Sequence, residues 1–216
     1  GRARALDGIR MMAIARGLTL DEIRNDPGVT TIISVNSPRR FDEAMAEGLM
    51  TMAEHGQPVC ITPFTLMGAM SPVTLAGALA QQNAEALFGI ALAQLVQPGT
   101  PVIYGAFTSN VDMRSGAPAF GTPENTKTNI ASGQLARRYN LPYRTTPGSA
   151  SNAADAQGAY ETMMAMWGAL LGHGNLIYHA AGWQEGGLTV SFEKLVIDVE
   201  LIQHMMQFLT PIEVDE

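Results

Sequence analysis

The sequence predicts an α/β fold, a fragment of a (β/α)8 TIM-type barrel with parallel strands and outer helices. Short apolar runs bounded by Pro or Gly alternate with longer helical segments, as in parallel sheets with crossover helices. Five such runs fit either an open doubly wound sheet or part of an eight-stranded barrel. The segment after the first run, "SVNSPRRF", lacks the G-x-G-x-x-G fingerprint of a dinucleotide site, which favours the barrel.

The elements follow in order along the chain. Buried strands are predicted at 31–35, 59–62, 102–105, 143–146 and 176–180, where the apolar runs are partly β-branched. Helices are predicted near 4–15, 40–55, 71–95, 125–139, 153–171 and 191–208. Thr19 and Glu22 fit a capping box, whereas Pro72 and Pro123 are predicted at first helical positions, which need no N–H partner.

The composition favours one globular domain covering residues 1–216 and excludes several classes of protein. The chain is 46% hydrophobic and 15% charged, so it can bury a substantial core. A net charge of −7 without a basic stripe disfavours nucleic-acid binding. The longest apolar stretch, 86–96, is shorter than the ~20 residues that span a bilayer, so no membrane association is predicted. The single Cys60 cannot form an intrachain disulfide, and a reducing, cytoplasmic location is expected.

Polar and aromatic residues gather where the predicted strands end, which is where both fold alternatives keep their functional loops. They are Asn36, Phe64, Phe107, Thr108, Asn110, Thr145, Thr146, Ser149, His179, Trp183, Gln184 and Glu185. This set is poor in Lys and Arg and rich in aromatic rings. Aromatic faces attract a desolvated quaternary ammonium by ~2 kcal/mol or more, and a nearby carboxylate adds attraction. The pocket is therefore predicted to suit a small apolar cation better than a phosphate.

Each candidate also fits a structural role. Phe64 and Phe107 fit packing, and His179 fits a hydrogen-bonded core position. Glu185 fits the cap of the following helix, and Asn36 fits another helix cap. The four His lack metal-ligand spacing, and neither H-E-x-x-H nor C-x-x-C occurs, so no metal site is predicted.

Three long runs resemble a known family. They are "VIYGAFTSNVDMRSGAPAFGTPE" (102–124), "DAQGAYE" (155–161) and "NLIYHAAGWQEGGLTVSFEKLVIDVE" (175–200), and the terminal "TPIEVDE" agrees with them. Together they resemble the trimethylamine methyltransferase family over essentially the whole chain. Members of that family are considerably longer and form a (β/α)8 barrel. The resemblance therefore implies a central-to-late piece of such a barrel, truncated at both ends.

The resemblance implies an enzyme of methylamine metabolism and methanogenesis that moves a methyl group from a methylated amine to Co(I). The corrinoid (cobalamin) is carried by a separate partner protein, so this chain binds no cofactor directly. The sequence contains only the ordinary amino acids. In this it resembles the larger branch of the family, whose members lack pyrrolysine. That branch is associated with quaternary amines such as glycine betaine. A quaternary ammonium is already a usable leaving group, so the enzyme's task is mostly to position one N–CH3 bond.

The resemblance gives the candidate residues hypothetical roles. Phe64, Phe107 and Trp183 are expected to form walls around the ammonium. Glu185 is expected to steady the ammonium, and His179 to donate to a substrate carboxylate. The corrinoid protein is expected to cover the barrel mouth.

A betaine also brings a carboxylate, which calls for a cation. Arg114 and Arg144 are the nearest candidates by their position at strand ends. Strand alternation weakens the case for Arg144, so Arg114 is the predicted substrate contact, together with Gln184 and Asn36.

Two rival functions remain open at this stage. A lyase or aldolase on the same barrel would need a Lys or paired carboxylates at strand ends, but Lys127 and Lys194 lie in predicted helices. The other rival is a catalytically incompetent barrel fragment that only binds a small ligand. An incomplete barrel leaves unpaired strand edges, so a homo-oligomer is expected for the isolated piece.

Overall fold

The computed structural model describes residues 1–214 as helices alternating with strands. The helices are α1 (Arg2–Arg16), α2 (Glu22–Asn25), α3 (Glu43–Glu54), α4 (Leu75–Val96), α5 (Pro123–Arg138), α6 (Ala156–Leu171) and α7 (Phe192–Phe208). The strands are β1 (Thr31–Asn36), β2 (Val59–Met67), β3 (Val102–Gly105), β4 (Phe107–Asn110), β5 (Tyr143–Thr145), β6 (Leu176–Ile177), β7 (Trp183–Gln184) and β8 (Thr189–Val190). A 3₁₀ turn covers Glu185–Gly187.

The main sheet is parallel, as predicted. Its strand order is β1-β2-β3-β5-β6, and β4 pairs with the far end of β2. Within residues 1–214 the sheet stays open, with β1 and β6 at its edges, so the parallel α/β fold is confirmed and a closed barrel is not seen. The separate pair β7–β8 is antiparallel and was not predicted.

Apolar burial attaches the helices to this sheet. The largest cluster joins α1, α3 and the first two strands through residues such as Ile9, Leu49, Ile33 and Ile61, all at most 3% exposed. A second cluster, around Tyr104 and the other buried residues of β3, β5 and α5, continues the core along the sheet. Each fully buried aliphatic side chain contributes about 1.5–3 kcal/mol, so these helices hold the strand ends in fixed positions.

The helix starts largely follow their sequence signatures. The Thr19 N–H donates to Glu22 Oε2 at 2.8 Å, and the Glu22 N–H donates to Thr19 Oγ1 at 3.2 Å, which confirms the capping box. Pro123 occupies the first turn of α5. The predicted start of α4 at Pro72 is wrong, because Thr74 caps that helix through the Gly77 N–H and α4 begins at Leu75.

Two strand predictions also need correction. The predicted strand 59–62 continues to Met67, and its extension pairs with β4, which begins directly after Ala106. The segment predicted to end at 180 forms a strand only at Leu176–Ile177. The chain leaves the sheet there because His179 takes a φ of 58°, in the left-handed region.

Helices α5 and α6 approach each other through glycine. A Cβ placed on Gly133 of α5 would lie 1.9 Å from the carbonyl oxygen of Gly172, at the end of α6. That oxygen belongs to rigid backbone, so the contact requires Gly133. This approach fixes the distance between α5 and the end of α6.

We therefore expect Gly133→Ala to destabilise the complete protein by about 1–3 kcal/mol, the usual cost of overpacking. Gly8→Ala is the matched control, because Gly8 lies within α1 and a Cβ there meets nothing within 4 Å. That change should stabilise by at most about 1 kcal/mol through helix propensity. Thermal unfolding of both variants checks the prediction, and equal melting temperatures would contradict it.

Candidate functional site

A cavity of about 530 Å³ lies at the carboxyl ends of the parallel strands. It is lined by Ile32, Ser34, Val35, Asn36, Ser37, Thr62, Phe64, Met70, Phe107, Arg144 and His179. Its size suits a small molecule, and its place at the strand ends is where parallel α/β folds bind their ligands.

A neighbouring cavity of about 420 Å³ is a weaker candidate. It is lined in part by Phe41, Phe88 and Glu85. The Glu85 carboxylate accepts hydrogen bonds from Ser37 Oγ at 2.6 Å and from the Arg39 N–H at 2.8 Å. Its buried carboxylate is therefore already satisfied by the protein, and the larger cavity is the better site.

Aromatic rings form one side of the larger cavity. The Phe64 and Phe107 ring centroids are 4.9 Å apart, and Phe107 stacks on Phe120 at the same centroid distance. Behind the cavity, Trp183 stacks on His179 with centroids 4.6 Å apart and planes 13° apart, and it lies 5.8 Å from Phe107. Three of the predicted wall residues are thus brought together, with Trp183 as support rather than lining.

The most distinctive group in the cavity is the guanidinium of Arg144, which is 2% exposed. Its Nε and Nη1 atoms have no hydrogen-bond partner within the described chain. The guanidinium carbon lies 5.1 Å from the Tyr178 ring centroid and 5.7 Å from that of Phe107. Burial lowers the pKa of Arg144. A buried cation without a counterion is costly, so this arrangement can accept an anionic group.

The register of β5 explains why Arg144 faces the cavity. Tyr143 points outward, where its hydroxyl donates to the Asn129 carbonyl of α5 at 2.9 Å. Successive strand residues face opposite sides, so Arg144 points inward. Sequence reasoning preferred Arg114, but that residue is exposed in the loop after β4 and does not line the cavity. The outward position of Tyr143 is the signal that would have identified Arg144.

His179 lies at the open side of the cavity. Its Nδ1 is 3.5 Å from both Arg144 Nη2 and Thr146 Oγ1. Partial burial, and secondarily the positive charge of Arg144, lower the pKa of His179 below its usual value. Its Nδ1 faces two groups that can donate a hydrogen bond to it.

The remaining predicted residues divide between the cavity and its surroundings. Asn36 lines the cavity from the end of β1. Gln184 is 2% exposed, with its Nε2 unpartnered in the described structure, but it does not line the cavity. The Glu185 carboxylate instead accepts from Thr189 Oγ1 at 3.0 Å. The structure therefore gathers Asn36, Phe64, Phe107 and His179 around Arg144, which the prediction had ranked second.

Two further features of residues 1–214 concern metal ions and membranes. No group of three or more His, Cys, Asp or Glu side chains is arranged to hold a metal ion there. No helix in the same range is long and apolar enough to cross a membrane.

Comparison with known proteins gives consistent matches. The family model described as "Trimethylamine methyltransferase (MTTB)" matches residues 1–216. The glycine betaine methyltransferase of Desulfitobacterium hafniense (strain Y51) is 40% identical over 217 residues, which cover 100% of this chain and 45% of that protein. The proline betaine:corrinoid methyltransferase of Eubacterium limosum is 33% identical, over 90% of this chain and 40% of that protein.

An archaeal relative is similar to the same extent. The trimethylamine methyltransferase MttB1 of Methanosarcina acetivorans is 36% identical over 199 residues, or 91% of this chain and 40% of that protein. The chain thus spans less than half the length of each of these relatives.

The electrostatic coupling between Arg144 and His179 can be tested directly. We expect Arg144→Met to raise the pKa of His179, because it removes the nearby positive charge. Titration of the His179 ring by NMR, assigned with His179→Asn, measures this pKa in the complete protein. Arg138→Met is the control, because Arg138 is exposed on α5 and should leave the pKa unchanged. An unchanged or lower pKa in the Arg144 variant would show that the two groups do not interact.

Proposed function

The chain belongs to the trimethylamine methyltransferase family, and on that premise we propose that the complete protein demethylates a betaine. Its substrate would be a quaternary methylated amine that also carries a carboxylate, such as glycine betaine. The methyl group would pass to Co(I) of a corrinoid held by a partner protein. The observation that carries this proposal is the buried guanidinium of Arg144 beside an aromatic wall, with Nε and Nη1 unpartnered in residues 1–214.

The substrate carboxylate would bind one edge of the guanidinium. Nε and Nη1 lie on different edges of the planar group, each beside Nη2, and either pair of neighbouring donors matches the two oxygens of a carboxylate. This pairing would satisfy one of the two unpartnered nitrogens and neutralise the buried charge. Asn36 and His179 lie at the open side of the cavity, where Asn36 can orient the ligand.

The quaternary ammonium would then face the aromatic wall of Phe64 and Phe107. Ring faces attract such a cation, and desolvation strengthens the attraction. Arg144 repels a cationic ligand that lacks a carboxylate, because like charges in a low-dielectric site interact strongly. Arg144 therefore favours betaines over choline, because it attracts the carboxylate of a betaine and repels the cation of choline.

The chemistry asks little of the protein beyond this positioning. When the corrinoid protein is bound, its Co(I) supplies the electron pair that takes up the methyl group. The electron pair of the broken N–CH3 bond stays on nitrogen, so a neutral tertiary amine leaves. No protein nucleophile or proton donor is needed. The exposed side of the cavity, at Asn36 and His179, leaves an approach for an acceptor carried by another protein.

Other predicted residues do not enter this proposal. Glu185 is engaged by Thr189, Gln184 does not line the cavity, and Arg114 lies on an exposed loop. The positive end of the substrate is therefore held by aromatic faces and not by a carboxylate. A rival reading as a non-catalytic ligand-binding piece would be favoured only by binding without methyl transfer.

Donor specificity tests the proposed function. The complete protein, mixed anaerobically with Co(I) cobalamin, is offered glycine betaine, proline betaine, carnitine, choline and trimethylamine in turn. We expect methylation of cobalamin, followed by its visible spectrum, with a carboxylate-bearing donor and not with choline or trimethylamine. Methylation by trimethylamine alone would contradict the proposal, and betaine binding without methylation would favour the non-catalytic alternative.

The role of Arg144 is tested by substitution. Arg144→Met removes the carboxylate partner at similar side-chain length, and losing one member of a buried charge pair costs about 2–5 kcal/mol. We expect the KM for the betaine to rise at least about 30-fold, the equivalent of about 2 kcal/mol. Discrimination against choline should shrink in the same variant, because the repulsive charge is gone. Arg138→Met should leave both values unchanged, and equal kinetics in the two variants would contradict the assignment.

A further inference from the structure

A buried ion pair lies behind the loop that carries Trp183. Lys194 and Asp198 lie one turn apart on α7 and are 0% and 1% exposed. The Lys194 ammonium is paired with the Asp198 carboxylate and also donates to Thr162 Oγ1 of α6 at 2.7 Å. Apolar residues of similar size often stabilise a protein as well as a buried ion pair does, so a role beyond packing is indicated.

The second carboxylate oxygen of Asp198 reaches the loop. It accepts from the Gly182 N–H at 2.8 Å, and the Gly182 carbonyl accepts from the Ser191 N–H at 3.1 Å. Gly182 has a φ of 80°, which only glycine adopts without strain. Both backbone polar groups of Gly182 are thus tied to α7 or its cap, which fixes the direction in which the chain enters Trp183.

Trp183 passes this restraint to the cavity. Its indole stacks on His179 and lies 5.8 Å from Phe107, and both of those residues line the cavity. On its other sides the indole fills spaces that only glycine leaves. A Cβ on Gly148 would lie 2.9 Å from the indole, and one on Gly187 would lie 2.1 Å from it. A shift of Gly182 would therefore displace the ring that supports His179.

We propose that Lys194 and Asp198 are positioning residues for the substrate cavity. The ammonium engages one oxygen of Asp198 and leaves the other directed at Gly182, which holds Trp183 against His179 and Phe107. The effect of this pair on methyl transfer rests on the proposed function, whereas its effect on Trp183 does not.

Two double variants of the complete protein separate the tether from the ion pair. Both variants carry Lys194→Met. One adds Asp198→Asn and the other adds Asp198→Leu, so both lose the two charges and keep side chains of similar size. Only the Asn variant keeps an oxygen that can accept from Gly182. The readout is ¹⁹F NMR of protein labelled with 5-fluorotryptophan, with the Trp183 signal assigned by its loss in Trp183→Phe.

The two variants should differ at Trp183. We expect the Asn variant to keep the Trp183 signal of the unaltered protein and the Leu variant to shift or broaden it. In the Leu variant kcat/KM should fall roughly 10²-fold, the scale expected for a misplacement of about 1 Å at a reacting centre. The Asn variant should retain most of the activity.

Several outcomes would overturn the inference. The same Trp183 signal in both variants would do so, and so would a loss of activity with that signal unmoved. Because the NMR signal needs no methyl transfer, inactivity toward every donor would refute the proposed function and leave this test intact.

Hydrogen exchange of the unaltered protein covers the case in which the Leu variant does not fold. The Gly182 amide should then be protected as strongly as the interior amides of α7. Exchange as fast as that of the exposed Gly187 amide would overturn the tether.

Discussion

The site depends on one costly arrangement, the burial of the Arg144 guanidinium without an ion-pair partner in residues 1–214. Two of its nitrogens, Nε and Nη1, have no hydrogen-bond partner in that range, although the great majority of buried polar groups in proteins are hydrogen-bonded. Folding tolerates this because the Phe107 and Tyr178 rings lie against the guanidinium and contribute a favourable cation–π interaction. The rings cover its faces and leave its edge for a ligand, and strain of this kind tends to persist where function needs it.

The surrounding fold explains how that cation is held in place. Tyr143 anchors β5 to α5 by its buried hydroxyl, so the next residue must face the cavity. On the other side, the chain leaves β6 after Ile177, lines the cavity at His179 and passes behind it at Trp183. Five residues between 179 and 187 have positive φ, and such a path needs tethers to neighbouring elements. The cavity thus depends on the register of β5 and on the anchored loop that follows β6.

The sequence predicted the parallel α/β fold, the position of every parallel strand except β4, and most of the aromatic wall, because apolar runs and strand ends are local signals. It preferred Arg114 to Arg144, whereas the structure places Arg144 in the cavity; the facing of a three-residue strand depends on register, and a slip of one residue reverses it. Glu185 was expected beside the aromatic wall, but the left-handed turns at 185–187 direct its carboxylate to Thr189. Irregular turns of that kind produce no periodic pattern of apolar residues in the sequence.

The central claim is that Arg144 receives the carboxylate of a betaine whose ammonium lies on the Phe64 and Phe107 rings. A crystal structure of the complete protein soaked with glycine betaine tests it most directly. We expect both carboxylate oxygens within hydrogen-bond distance, about 2.7–3.2 Å, of two neighbouring guanidinium nitrogens of Arg144, Nη2 with either Nε or Nη1, and the methyl groups toward the open side of the cavity. A betaine bound with its carboxylate toward solvent, or outside this cavity altogether, would contradict the account.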